Sequence, residues 1–177
     1  NGAMVFQLPH TGVPVERAFS RMLTYDHGRA YLHSRSLRWS WGAIVGRNGN
    51  WPAEVQNLSP RALVRTLALV GFSGIWIDRL GYVPPPGRDP ADAGVRPSPE
   101  AGVVRAAAEE AVTSEDGRYA FVPLESARRR LLAELGPEGF AREAEKALRA
   151  PLVPRYREGF GEEDGDGARV WRAGGPR

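Results

Sequence analysis

The chain is predicted to fold as an α/β domain whose sheet, of about four to six strands, is at least partly parallel and flanked by helices. Three observations carry this. The apolar run at residues 4–8 is stopped by Pro9, which gives it the length of a buried strand and too little room for a helix. Leu37-Arg38-Trp39-Ser40-Trp41-Gly42 alternates strictly, so Leu37, Trp39 and Trp41 share one face of a strand. Ser59-Pro60 is a helix start, Gly71 a helix stop, and Phe72-Ser73-Gly74-Ile75-Trp76-Ile77 follows at once. A helix that closes at glycine and feeds a buried strand is half of a βαβ unit, whose strands run parallel. The sheet is expected either as a partial barrel or as an open three-layer arrangement.

Between these landmarks, residues 10–24 hold turn formers, residues 25–34 have room for one or two helical turns, and residues 46–50 read as a loop. Leu63, Val64, Leu67 and Val70 fall on one face of the helix that starts at Pro60. Residues 83–99 carry six prolines and are expected as an extended surface loop. An alanine-rich helix is predicted over 100–112, a turn at Glu115-Asp116-Gly117, and a strand over 119–124. Two further helices, 126–135 and 138–148, are separated by Gly136-Pro137, with Phe140, Ala144 and Leu148 on one stripe of the second. Residues 1–150 therefore read as one domain and 151–177 as an extended tail leading to a further module, with Val170-Trp171 opening a strand.

Composition narrows the function classes. With 42% apolar and 25% charged residues the chain is an ordinary globular protein. No stretch approaches the roughly 20 apolar residues needed to span a bilayer. The absence of cysteine excludes disulfides, thiolate nucleophiles and the usual structural zinc sites. Net charge is +3, and Lys146 is the only lysine. Residues 1–82 hold nine arginines against four acids, a mildly basic half that reads first as a solvated surface and second as suited to an anionic ligand; the cations are dispersed, and nucleic acid is not expected as a partner. Neither a dinucleotide-binding glycine motif, a phosphate loop, a nucleophile elbow nor an HExxH motif is present, so no cofactor is predicted.

Two acids stand where the chain passes from one element to the next. Asp78 directly follows an apolar strand, and ligands of α/β folds gather at the carboxyl ends of strands. A carboxylate there can bind a sugar hydroxyl or serve as a base; it can equally pair with an arginine or cap the next turn. Asp26 lies in Tyr25-Asp26-His27-Gly28-Arg29-Ala30-Tyr31-Leu32-His33-Ser34. His27 and His33 are six residues apart and do not share a helical face, so no metal site is predicted, and a polar network around His10, Asp26 and His33 is the expected arrangement. Trp41, Trp51 and Tyr82 lie at element ends, where flat rings suit stacking on a pyranose. The candidate ligand-binding set is thus His10, Asp26, His33, Arg38, Trp41, Asp78, Arg79 and Tyr82; Asp26 and Asp78 are the catalytic candidates if the chain is an enzyme.

Val5-Phe6-Gln7-Leu8-Pro9, Tyr25-Asp26-His27, Tyr31-Leu32-His33-Ser34, Leu37-Arg38-Trp39-Ser40-Trp41-Gly42-Ala43, Gly71-Phe72 and Gly74-Ile75-Trp76-Ile77-Asp78-Arg79 occur in an order that resembles a known pattern. It is similar to the extracytoplasmic carboxy-terminal region of bacterial polytopic membrane proteins labelled sugar translocases or glycosyltransferase-like proteins. The pattern departs at Gly28, where an aromatic is usual, and at Val45, where a lysine is usual. The resemblance implies a domain at the extracytoplasmic face of the bacterial inner membrane, attached to a membrane-spanning region of the same chain. It further implies contact with envelope glycan or lipid-linked sugar. The expected function is an accessory, non-catalytic one; the alternatives are a glycosidase-like hydrolase using Asp26 and Asp78 as paired carboxylates, and a structural spacer.

Overall fold

A computed structural model describes residues 2–11, 20–23, 25–41, 51–90 and 93–149. Its strands are β1 (Met4–Leu8), β2 (Arg38–Trp39), β3 (Phe72–Asp78), β4 (Val112–Thr113) and β5 (Tyr119–Pro123). Its helices are α1 (Asp26–Leu32), α2 (Trp51–Val55), α3 (Pro60–Val70), α4 (Glu100–Ala107) and α5 (Glu125–Arg149), with one 3-10 turn over Arg79–Tyr82. The strands form one open mixed sheet in the order β2-β1-β3-β5-β4. β1 is parallel to both β2 and β3, while β5 runs antiparallel to β3 and to β4. The predicted α/β class and partly parallel sheet are therefore present, in the open form.

The β2-β1-β3 order places β1 at a topological switch: the chain leaves it to one side through α1 and returns on its other side through α3. The side chains behave accordingly. Phe6 and Leu8 of β1, Ile75 and Ile77 of β3, and Ala120 and Val122 of β5 alternate onto one face and are buried with Val55, Leu63, Leu67, Val103 and Leu131 from the helices. The opposite alternation puts Val5, Gln7, Gly74, Trp76, Asp78, Tyr119 and Phe121 on the other face, with Trp39 beside Val5. α1 lies against that second face, since the Gln7 amide donates to the His27 carbonyl at 3.0 Å.

α3 begins and ends as its sequence requires. The Ser59 hydroxyl accepts from the Ala62 N–H at 3.4 Å, Pro60 takes the first turn, and Gly71 closes the helix at φ 99°, a left-handed conformation that costs glycine nothing. Gly74 meets a different need: a Cβ there would lie 2.2 Å from the Phe121 ring, so its bare backbone is what lets that ring lie across β3.

Two boundaries differ from expectation. The alternating tryptophan segment forms a ladder only at Arg38 and Trp39. One further backbone bond, from the Ser40 N–H to the Val5 carbonyl at 3.1 Å, continues the pairing, and side chains then take over: the Gln7 N–H donates to the Ser40 hydroxyl at 2.9 Å, and the Gln7 Oε1 accepts the Trp41 N–H at 3.2 Å. The alanine-rich helix stops at Ala107 rather than 112, because Ala108 turns left-handed (φ 53°) and Val112–Thr113 joins β5. The two carboxy-terminal helices part at Gly136 (φ 68°, ψ 168°), where the Gly136-Pro137 pair places the break. Phe140 and Ala144 pack on the core, but Leu148 of the expected stripe is exposed. The expected loop at 46–50, part of the 10–24 stretch, Gly42, Val45 and the tail with Val170-Trp171 lie outside the described residues. No helix among the described residues is long and apolar enough to cross a membrane.

Candidate functional site

Because β1 and β3 are parallel, their carboxyl ends open on the same edge, and β5, running the other way, begins there. This brings Pro9 and His10, Asp78 and Arg79, and Arg118 and Tyr119 to one rim, where α1 adds Asp26 and His27. Strand ends beside a switch point are where α/β sheets leave room for ligands.

The centre of the rim is Arg118. Its Nη2 donates to Asp78 Oδ2 at 2.6 Å and to Asp26 Oδ2 at 2.5 Å, and its Nε donates to Asp78 Oδ1 at 3.0 Å. The fork on Asp78 is bidentate, the strongest common geometry for an arginine and a carboxylate. Both acids are otherwise satisfied. Asp78, fully buried, also caps the 3-10 turn by accepting the Leu80 N–H at 3.0 Å. Asp26 accepts the Leu23 N–H at 2.9 Å and pairs with Arg29 at 3.2 Å. Burial by itself would raise the Asp26 pKa, but the Leu23 N–H, Arg118 and Arg29 outweigh it and hold the carboxyl below its ordinary value. The same two acids hold the Arg118 guanidinium above its usual range, Asp78 contributing most.

His27 is buried beside this network. Its Nε2 donates to the Pro9 carbonyl at 2.7 Å, which fixes the tautomer and leaves the buried Nδ1 without a partner. Burial lowers its pKa more than the Pro9 carbonyl, Asp78 and Asp26 raise it, and Arg118 lowers it further. The folded imidazole therefore stays neutral at pH values where an unfolded one, near 6.5, takes a proton. Because the unfolded state then binds more protons, stability declines as pH falls below about 6.5, down to the folded pKa. Urea titrations between pH 7 and pH 5 should show this decline, and a His27→Gln variant should show a shallower one.

An aromatic array adjoins the charged centre. Trp39 and Trp76 lean together across β1 with ring centroids 5.8 Å apart, and Trp76 meets Tyr119 at 4.9 Å. The Arg118 guanidinium lies 4.8 Å above the Tyr119 ring. Trp39 is fixed by its indole N–H, which donates to the Ser34 hydroxyl at 2.6 Å. All three rings are partly buried, so each leaves some surface on the face that the core helices do not cover.

The candidate residues divide on this geometry. Asp26 and Asp78 come together, through an arginine that sequence reasoning did not single out. His10 stands at the end of β1 with its N–H on the Gln56 side chain at 2.9 Å. His33 is exposed at the far end of α1, and Arg38 is exposed and donates to the Gly2 carbonyl at 3.2 Å. Trp41 lies by Gly28 and Tyr25, where the bare Gly28 leaves room for its indole. Arg79 is committed to Glu100 (2.5 and 2.8 Å) and the Gly117 carbonyl (2.7 Å), joining β3 to α4 and to the β4–β5 turn. Tyr82 packs on the core, and burial pushes its phenol pKa up. Trp51 stacks on Phe72 and donates to the Ala147 carbonyl at 3.2 Å, a packing role. Among the described residues no three histidines or acids are placed to hold a metal ion.

Gln7, His27, Trp39, Trp76, Arg118 and Tyr119 are participants the candidate set omitted. His27 and Trp76 had a signal, one in the histidine-rich stretch and the other between two core isoleucines on the alternate face. Arg118 had none in its own neighbourhood. Comparison with known proteins gives no match: no family model, curated protein or solved structure is significantly similar to this chain.

Proposed function

We propose that the chain is a saccharide-binding accessory domain without catalysis of its own, serving a membrane sugar translocase or glycosyltransferase-like protein at the extracytoplasmic face. The observation that carries the binding part is the Trp39–Trp76–Tyr119 array, partly exposed and bordered by Arg118. Flat apolar faces beside fixed polar groups are what a pyranose ring uses. The envelope setting rests on the sequence resemblance described above.

A retaining or inverting glycosidase needs one carboxylic acid with a raised pKa and one carboxylate, facing each other across room for substrate. Here one guanidinium bridges both acids and helps to hold the Asp26 carboxyl below its ordinary pKa, which supports binding over hydrolysis. A pure spacer needs no partly exposed rings, and is supported less for that reason.

Titration calorimetry with a panel of envelope saccharides tests the proposal. At least one is expected to bind, and Trp76→Ala should weaken it about tenfold or more, equivalent to ~1.4 kcal/mol. No binding by the unaltered protein, or equal binding by Trp76→Ala, would refute the aromatic platform. A loss confined to His33→Ala would move the site to α1.

A further inference from the structure

The helical side of the domain carries a concavity, lined by other residues than the aromatic array. It is a shallow cleft of about 510 Å³ lined by Arg61, Arg105, Ala106, Ala108 and Arg130. Its walls come from the first turn of α3, the end of α4 and the second turn of α5. Every charged residue lining it is an arginine.

Elsewhere on these helices Arg65 has Glu134 and Glu143 in reach, Arg142 has Glu138 and Arg149 has Glu145, while Arg128 lies over the Phe140 ring and Arg129 donates to the Ser126 hydroxyl. Among the described residues neither Arg61 nor Arg105 pairs with a carboxylate, and both are exposed. Arg130 is held differently. Its Nη2 donates to the carbonyls of Ala106 (2.8 Å) and Ala107 (3.0 Å), so it is anchored across the carboxyl end of α4 while keeping its charge. The acid whose charge bears on Arg130 is Glu109, and that carboxylate is engaged with the Ser126 N–H at 3.0 Å, outside the lining. Three like charges around one hollow repel one another unless an anion joins them. Alanines between them leave the floor open.

We propose that this cleft binds a multiply charged oxyanion of the phosphate class, with Arg61 and Arg105 closing on it from either side of the anchored Arg130. Guanidinium forks match the oxygen spacing of phosphate and take it in pairs of hydrogen bonds. Three forks suit a dianion or a diphosphate better than a single carboxylate. The site is independent of the saccharide reading, since it uses other residues on the helix-covered side of the sheet.

The test is calorimetry on the full chain at low ionic strength, with inorganic phosphate, pyrophosphate and citrate as separate probes. Saturable binding of pyrophosphate is expected, with phosphate weaker and citrate weaker still; binding of phosphate equal to that of pyrophosphate would assign the site to single phosphate groups. Arg61→Gln and Arg105→Gln should each weaken pyrophosphate about tenfold or more, while Arg88→Gln, in the proline-rich loop, should leave it unchanged. Both cleft variants should retain the anion-free melting temperature, because each removes a repelling charge from an exposed position. Absence of saturable binding, an equal loss in Arg88→Gln, or citrate binding as tightly as pyrophosphate would overturn the proposal.

Discussion

Replacing Arg118 with methionine is expected to cost about 3–5 kcal/mol at neutral pH, the range found when one partner of a buried ion pair is removed. Two carboxylates depend on this one guanidinium, and both are nearly or wholly buried, with Asp26 at 5% and Asp78 at 0% exposure. Without the cation they would face each other charged and desolvated. The pH dependence changes with it. In the unaltered protein Asp26 is held below its ordinary pKa, so its contribution is present above about pH 4 and is lost as pH falls through the folded pKa. In Arg118→Met only the Leu23 N–H and Arg29 would oppose the burial that raises the Asp26 pKa, so the deficit should shrink as acid protonates that carboxyl. Urea denaturation at pH 7 and pH 4.5 measures both quantities. Adding Asp26→Asn and Asp78→Asn should recover part of the loss, because neutral amides tolerate the missing cation. A deficit below about 1 kcal/mol that does not vary with pH would show that the rim is not held by this network.

Phe6→Ala is the second large effect, expected at about 3–5 kcal/mol. Phe6 is fully buried in the middle of β1, with its ring edge-on to Phe72 at 5.5 Å and to Trp51 at 6.3 Å. Trp51 in turn stacks on Phe72 and reaches the Ala147 carbonyl, so one ring links β1, β3, α2 and the end of α5. Deleting it would remove aromatic burial and leave a void whose walls belong to four elements, none able to collapse alone. A typical domain holds only about 5–15 kcal/mol in all, so the variant should melt far earlier while keeping its saccharide and oxyanion affinities at low temperature. Phe6→Leu should lose much less. A denaturation midpoint for Phe6→Ala within error of the unaltered protein would show that the core does not close on this ring.

Much of the sheet was legible because its signals are local. The stop at Pro9 bounds β1, the Ser59-Pro60 pair and Gly71 bound α3, and the apolar run after Gly71 is β3. Where the reading failed, a distant partner overrode a local preference. Residues 108–112 continue an alanine-rich run and favour helix by propensity, yet pairing of Val112 and Thr113 with β5 turns the chain away at Ala108. The tryptophan segment alternates as a longer strand would, but the Gln7 side chain takes over the bonds that a ladder would use.

The site divides along the same line. Sequence alone marked Asp26 and Asp78 as acids at the ends of elements and identified the parallel connection that would bring a strand end near the amino-terminal segments. It determined the α/β class, the apolar runs that become β1 and β3, and the glycine stop between helix and strand, because each depends on neighbours a few residues apart. Tertiary structure decided that Asp78 faces the start of β5, since that depends on antiparallel register between segments 40 residues apart. Only that register delivers Arg118 to both acids, which turns two candidate catalytic groups into one buried ion-paired centre.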